Sequence, residues 1–225
     1  MAELDKRDVL KTIISSAKLY KKNLNGKNFL IVSKNKNSPY NFWELKFEKK
    51  QFTHLLGINT EISSKHFYAK AVRKQLSIRD FELRTDGTTE LKLEVLPSLM
   101  EFADNVRMIG EYEDDNSPKL ITDVLAGNIQ GALGFVEDEK NDLVPNTCLN
   151  CNTKIRSKSE RIVLMISKKF SESEFSKIEY IAEKNFDIED LKVFDSKYKE
   201  NIIRLFSTIS SEAAVTETET ETESK

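Results

Sequence analysis

From Lys27 to Lys169 the apolar residues arrive in short runs, each cut off by Asn, Gly, Ser, Asp or Pro. That punctuation limits the fold more than any other feature of the chain. A helix needs an apolar stripe sustained over about ten residues or more, whereas brief runs rich in aromatic and β-branched residues read as strands. Such runs occur at Phe29 to Ser33, Phe42 to Phe47, Leu91 to Val95, Arg107 to Tyr112, Leu120 to Ala126, Gly131 to Glu137 and Arg161 to Ser167. In the second, Trp43, Leu45 and Phe47 alternate with Glu44 and Lys46, the period of a half-buried strand. A mainly antiparallel sheet is the simplest arrangement, with Asp138 to Ser159 as a long polar loop.

Helical spacing appears at both ends and once inside. In Asp5 to Leu24, residues Val9, Leu10, Ile13, Ile14, Ala17 and Tyr20 share one side, and Asn25-Gly26 supplies the stop. Ser63 or Ser64 caps a helix running to about Gln75. Ser77-Ile-Arg-Asp80 reads as a capping box opening a short helical turn, and Pro97 introduces a helix from Ser98 to Asn105. Beyond Ser171 the pattern is helical at Ser173 to Lys184, Ile188 to Val193 and Ser196 to Ile209. The expected fold is α+β: a small, mainly antiparallel sheet with packed helices over residues 1–170, a C-terminal helical appendix over 171–210, and a disordered acidic tail over 211–225.

Composition narrows the setting. Hydrophobic residues make up 39%, including 13 Phe, enough for a core, while 32% charged residues keep the surface in water. No run approaches the roughly 20 apolar residues of a membrane span, and the N-terminus lacks the apolar centre of a signal peptide. A cytoplasmic location is expected. The tail repeat TETETETES belongs to a segment of net −4 within a chain of net −2, which leaves a body of +2.

The stretch from Phe47 to Phe81 contains Phe-x(4)-Phe-Thr-His-Leu-Leu-Gly-Ile, then Lys65-His-Phe-Tyr68, then Leu76-Ser-x-x-Asp-Phe81. Farther on come Gly127-Asn-x-x-Gly-x-Leu-Gly-Phe135, Val144-Pro-Asn-Thr-x-Leu149 and the run Arg161 to Lys169. In this order, the motifs resemble the phage Barnase-EndoU-colicin-RelE-like nucleases, most closely the fourth described type, over about residues 28 to 170. The resemblance implies helices on a small antiparallel sheet and a metal-independent ribonuclease of phages and mobile elements, acting as a toxin or effector. It implies RNA as substrate and neither metal nor cofactor. One departure stands out: Asn150-Cys-Asn-Thr153 follows Leu149 where a charged residue is expected.

Metal-independent cleavage requires the ribose 2′-OH to attack its adjacent phosphate. A base must take one proton, an acid must give another, and a cation must steady the charge on phosphorus. Histidine suits the proton transfer, and the chain has two. His54, between a strand and a glycine turn, is the leading candidate for catalysis; its other reading is an imidazole that fixes the turn. His66 reads as a surface residue. Lys65 is expected to contact phosphate near a helix start, and Tyr68 to stack or hydrogen-bond in catalysis. At the other end, Thr147 would orient phosphate through its hydroxyl, with Arg156, Lys154, Lys119 and Lys169 binding substrate.

Cys148-Leu-Asn-Cys151 lacks a second pair and reads as two free thiols, the alternative being a zinc site completed by the distant histidines. The glycines from Gly127 to Gly134 do not form a phosphate loop and read as turns and close strand packing. Three functions remain open: the ribonuclease, a noncatalytic binding protein that engages a host or phage protein, such as an inhibitor of a host defence complex, and a structural phage component, for which no heptad or internal repeat speaks.

Overall fold

A computed structural model describes residues 5–35, 40–113, 121–182, 186, 189 and 197–208. The acidic tail, the expected helix at Ile188 to Val193 except residue 189, and Lys119 lie outside them. Helix α1 (Lys6–Asn23) starts where the Asp5 carboxylate accepts from the Arg7 amide at 2.8 Å, satisfying one donor that a helix start leaves free. Val9, Ile13, Ala17 and Tyr20 form its buried stripe.

Strands β1 (Lys27–Lys34) and β2 (Asn41–Phe47) pair antiparallel, with Ile31 opposite Trp43. After a 3-10 turn (Phe52–Leu55) come β3 (Ile58–Asn59), α2 (Ser64–Val72), β4 (Glu82–Leu83), α3 (Thr88–Met100) and α4 (Phe102–Asn105). Then follow β5 (Met108–Glu111), β6 (Val124–Gly127), β7 (Ala132–Glu137), β8 (Leu143–Leu149), the short helix α5 (Thr153–Arg156), β9 (Glu160–Lys169) and β10 (Lys177–Ile181). A final helix, α6, covers residues 199–208. The chain is α+β.

Eight strands form one sheet in the order β1-β2-β8-β7-β6-β5-β9-β10, and β1 also pairs with β9. The pairings of β1, β2, β8, β7, β6, β5 and β9 therefore run in a closed cycle, while β10 lies beside β9. Strands β2 and β8 meet in parallel at Leu45 and Leu143; every other strand pairing among the described residues is antiparallel. Strand β1 is buried on both faces. Phe29 and Ile31 join the core packed by α1, α2, α3 and α4, whereas Leu30 and Val32 join a second cluster with Val163, Ile166, Ile202 and Leu205.

Several local expectations are corrected. Leu91 to Val95 is part of α3 and not a strand, because Leu93, Leu96, Leu99 and Met100 fall at helical spacing and are buried; Pro97 lies inside this helix and does not open the next. Val144, Thr147 and Cys148 are buried in β8, within the segment expected to be a polar loop. Residues Lys177–Ile181 within the expected helix Ser173 to Lys184 are β10, whose Ile178 and Ile181 join the second cluster. In the Ser77 to Asp80 box the Ser77 amide donates to the Asp80 carboxylate at 2.6 Å, but the Ser77 hydroxyl accepts from the Arg79 amide and the segment closes a turn without a helix.

Phe47 ties the parts together. Its ring lies 5.5 Å from Phe29, 5.5 Å from Phe102, 5.8 Å from Phe135 and 6.3 Å from Tyr20, all edge-on. Edge-to-face packing adds to the gain from burial. The substitution Phe47→Ala is expected to cost about 3–5 kcal/mol, measured as a lower urea midpoint with an unchanged slope.

Candidate active site

The 3-10 turn is anchored from below. Phe52 and Leu55 are fully buried, and the Glu48 amide donates to the Gln51 side chain at 3.0 Å, so Thr53 and His54 are left toward the surface. Gly57 follows at a φ of +64°, a left-handed conformation that favours glycine. A Cβ there would stand 2.9 Å from Lys92 Cδ and 3.1 Å from the Thr88 carbonyl oxygen. The Gly57 carbonyl accepts from the buried Thr89 hydroxyl, and the Thr89 hydroxyl oxygen in turn accepts from the Arg84 amide at 3.0 Å. Thr89 thus ties the turn, the start of α3 and Arg84 together.

A hollow of about 690 Å3 opens beside this knot, with His54, Glu61, Ser63, Arg84, Lys92 and Asn146 on its walls. Lys92, on α3, is half-buried. Its ammonium donates to the Thr147 hydroxyl at 2.9 Å and to the His54 carbonyl oxygen at 3.3 Å. Burial chiefly lowers its pKa, and Arg84 adds to the effect, opposed by Cys148 and Asp86. The imidazole of His54 is solvent-exposed at the rim, yet the surrounding walls displace enough water to lower its pKa, with Lys92 as the second cause. It is therefore neutral over more of the range below the ordinary histidine value of about 6.5.

The β8 side is shaped by a bulge. Gly134 pairs with Thr147 and Phe135 with Pro145, which leaves Asn146 as the extra residue. A bulge re-aims a side chain and accommodates proline within a strand. Asn146 accepts from Thr122 at 3.0 Å and donates to the Ile121 carbonyl. Opposite it, a Cβ on Gly134 would stand 2.6 Å from Thr147 Cγ2, so the close approach of β7 requires glycine.

The family model described as phage-Barnase-EndoU-ColicinE5/D-RelE like nuclease4 matches residues 12–169. The chain belongs to this family. Neither a curated protein nor a solved structure matches it. The family is one of nuclease-like proteins associated with phages, and a nuclease acts on nucleic acid. No helix among the described residues is long and apolar enough to cross a membrane.

Of the family-motif residues singled out in the sequence, His54 and Thr147 come together through Lys92. Lys65 is exposed in the first turn of α2, beside the hollow-lining Ser63 and Ser64 but not itself a wall residue. Tyr68 is buried in the core, its ring 5.4 Å from Phe52 and 5.7 Å from Tyr20, and among the described residues its hydroxyl has no hydrogen-bond partner; burial raises its pKa. Lys154 and Arg156 sit on α5, and Lys169 ends β9; none of the three lines the hollow. His66 is exposed and lies 2.9 Å from the Ser63 hydroxyl. Cys148 and Cys151 are free; burial pushes the Cys148 thiol up to about 12. Among the described residues no three His, Cys, Asp or Glu converge to hold a metal ion.

Sequence reasoning missed Lys92, Arg84 and Asn146. A helical reading of Thr88 to Met100 would have exposed Lys92 as a lysine within a largely apolar helix. The substitution Gly57→Ala combines backbone strain with a clash against Lys92 and Thr88. It is expected to destabilise the protein by more than about 1 kcal/mol, seen as a lower thermal midpoint.

Proposed function

We propose that the chain cleaves RNA in this hollow by attack of a ribose 2′-OH on the adjacent phosphate, without a metal ion. The reading is carried by one observation: the His54 carbonyl and the Thr147 hydroxyl, far apart in the chain, both accept from the Lys92 ammonium. An ammonium has three donors. Two are used by these contacts, leaving one for a phosphate oxygen. Because Thr147 accepts from Lys92, its own hydroxyl hydrogen is free to be donated to a second oxygen.

In this scheme neutral His54 takes the 2′ proton as the O2′–P bond forms. The P–O5′ bond breaks, and the departing oxygen takes a proton from Lys92, whose lowered pKa makes it a better acid than an ordinary lysine. The product end is a 2′,3′-cyclic phosphate. Arg84 and Lys92 oppose the negative charge that builds on phosphorus, and the half-buried position of Lys92 strengthens its share. Family membership supports nucleic acid as substrate, and an effector acting on host RNA is the biological role that fits a phage-associated family.

Incubating the purified chain with RNA in EDTA tests the proposal. Cleavage should persist, and His54→Ala should lose about 10²–10⁴-fold in rate without unfolding, since the ring is exposed. Intact RNA with the unaltered chain, or an undiminished His54→Ala, would overturn it; intact RNA together with stable capture of one host protein would favour the noncatalytic binding reading.

The pH profile gives a second check. His54 must be neutral to act as base, so the acid limb of kcat/KM should lie below about pH 6.5. Removing the nearby positive charge in Lys92→Met should move that limb upward, toward 6.5, alongside the fall in rate. A limb that stays in place would remove His54 from the base role.

A further inference from the structure

The exposed side of α1 carries a groove lined by Lys11, Ile14, Ser15, Lys18, Leu19 and Lys22. Lys11, Ser15, Lys18 and Lys22 follow the i, i+4, i+7, i+11 spacing of one helical face, and all four are exposed. Lys74, just past the end of α2, stands against Lys18; burial and this second ammonium hold the Lys18 pKa down. Two like charges side by side are unfavourable unless an anion joins them. Asp8 bridges Lys11 at 2.7 Å, but among the described residues no carboxylate pairs with Lys18, Lys22 or Lys74.

Helix α2 connects this groove to the hollow. Its first residue, Ser64, is a wall residue of the hollow, and Lys74 lies ten positions later, a rise of about 15 Å if helical spacing continued. A single nucleotide seated at His54 does not reach that far, whereas a strand of several nucleotides does.

We propose that Lys18, Lys22 and Lys74 form a docking site for the phosphodiester backbone of single-stranded RNA, separate from the cleavage hollow. The proposal rests on the ribonuclease reading for the choice of RNA, and charge complementarity favours that occupant. Lysine heads act as point charges on phosphates and carry no sequence information. The groove therefore selects for strand length and not for base sequence. Its apolar floor, Ile14 and Leu19, lowers the local dielectric beneath the ammonium groups and strengthens their pull.

The test uses the full chain with Lys18→Gln, Lys22→Gln and Lys74→Gln combined. Binding is measured in a His54→Ala background against a homopolymeric RNA of about a dozen nucleotides, within the span of known single-strand sites. The triple variant is expected to bind at least tenfold more weakly at low salt. Losing three phosphate contacts should reduce the slope of log affinity against log salt by about 2. With His54 intact, cleavage of a dinucleotide by the triple variant should match that of the unaltered chain.

Equal affinity and an equal salt slope in the triple variant would overturn the docking site, as would lysine-dependent capture of polyglutamate as tight as that of RNA, which would mark an acidic protein partner. If the unaltered chain cleaves nothing, the ribonuclease reading fails while the binding comparison still decides the docking site.

Discussion

The packing of Phe47 against Tyr20, Phe29, Phe102 and Phe135 is the contact on which the remaining structure rests. Phe47 ends β2, where the cycle of strands is weakest, since β2 and β8 share only the Leu45 to Leu143 bridge. A ladder that short supplies little backbone bonding, so the seam must be held by side chains. Four aromatic neighbours from α1, β1, α4 and β7 do this, and the chain leaving Phe47 is then confined to the turn at Phe52–Leu55. The turn packs beside β8, and that adjacency brings His54 toward Thr147.

Lys92 explains why the adjacency has chemical meaning. A lysine moved out of water loses hydration, and that penalty is offset only by well-placed acceptors. Here the acceptors are the His54 carbonyl and the Thr147 hydroxyl, both neutral. No carboxylate cancels the charge at those contacts, so burial lowers the pKa of Lys92, and at His54 the nearby ammonium adds to the lowering that burial already causes. Had an acid been placed there, the site would have been a structural ion pair with nothing left to act on a phosphate.

How much of this was legible in the sequence follows from how local each signal is. Helix α1 and strands β1, β2, β7 and β9 were readable because their periodicity or apolar runs agree with their burial. Helix α3 was not, since Asp86-Gly87 imitates a hairpin turn and Pro97 imitates a helix start, while the deciding pattern of Leu93, Leu96, Leu99 and Met100 runs across Pro97. Strand β8 was hidden by Pro145 and Asn146, residues that a bulge tolerates and a regular strand does not. Strand β10 alternates charge and apolarity too weakly to be told from a helix without its partner β9. Within the site, His54 and Thr147 were visible as residue types in motifs, but Lys92 belongs to no motif and is selected only by the fold.

Tyr68 shows the opposite limit. A tyrosine near a lysine and a histidine looks like a substrate contact when read along the chain, yet Lys65 lies in the exposed first turn of α2 and Tyr68 one turn farther in, where the helix packs on the core. Lys65 faces water, and Tyr68 joins Tyr20 and Phe52 in the core. Its hydroxyl, without a hydrogen-bond partner among the described residues, is tolerated because the ring fills space between α1, α2 and the turn. The motif Lys65-His-Phe-Tyr68 thereby helps to seat the turn that carries His54. A motif can thus be tied to a site through the core that holds the site in place, and not only through contact with substrate.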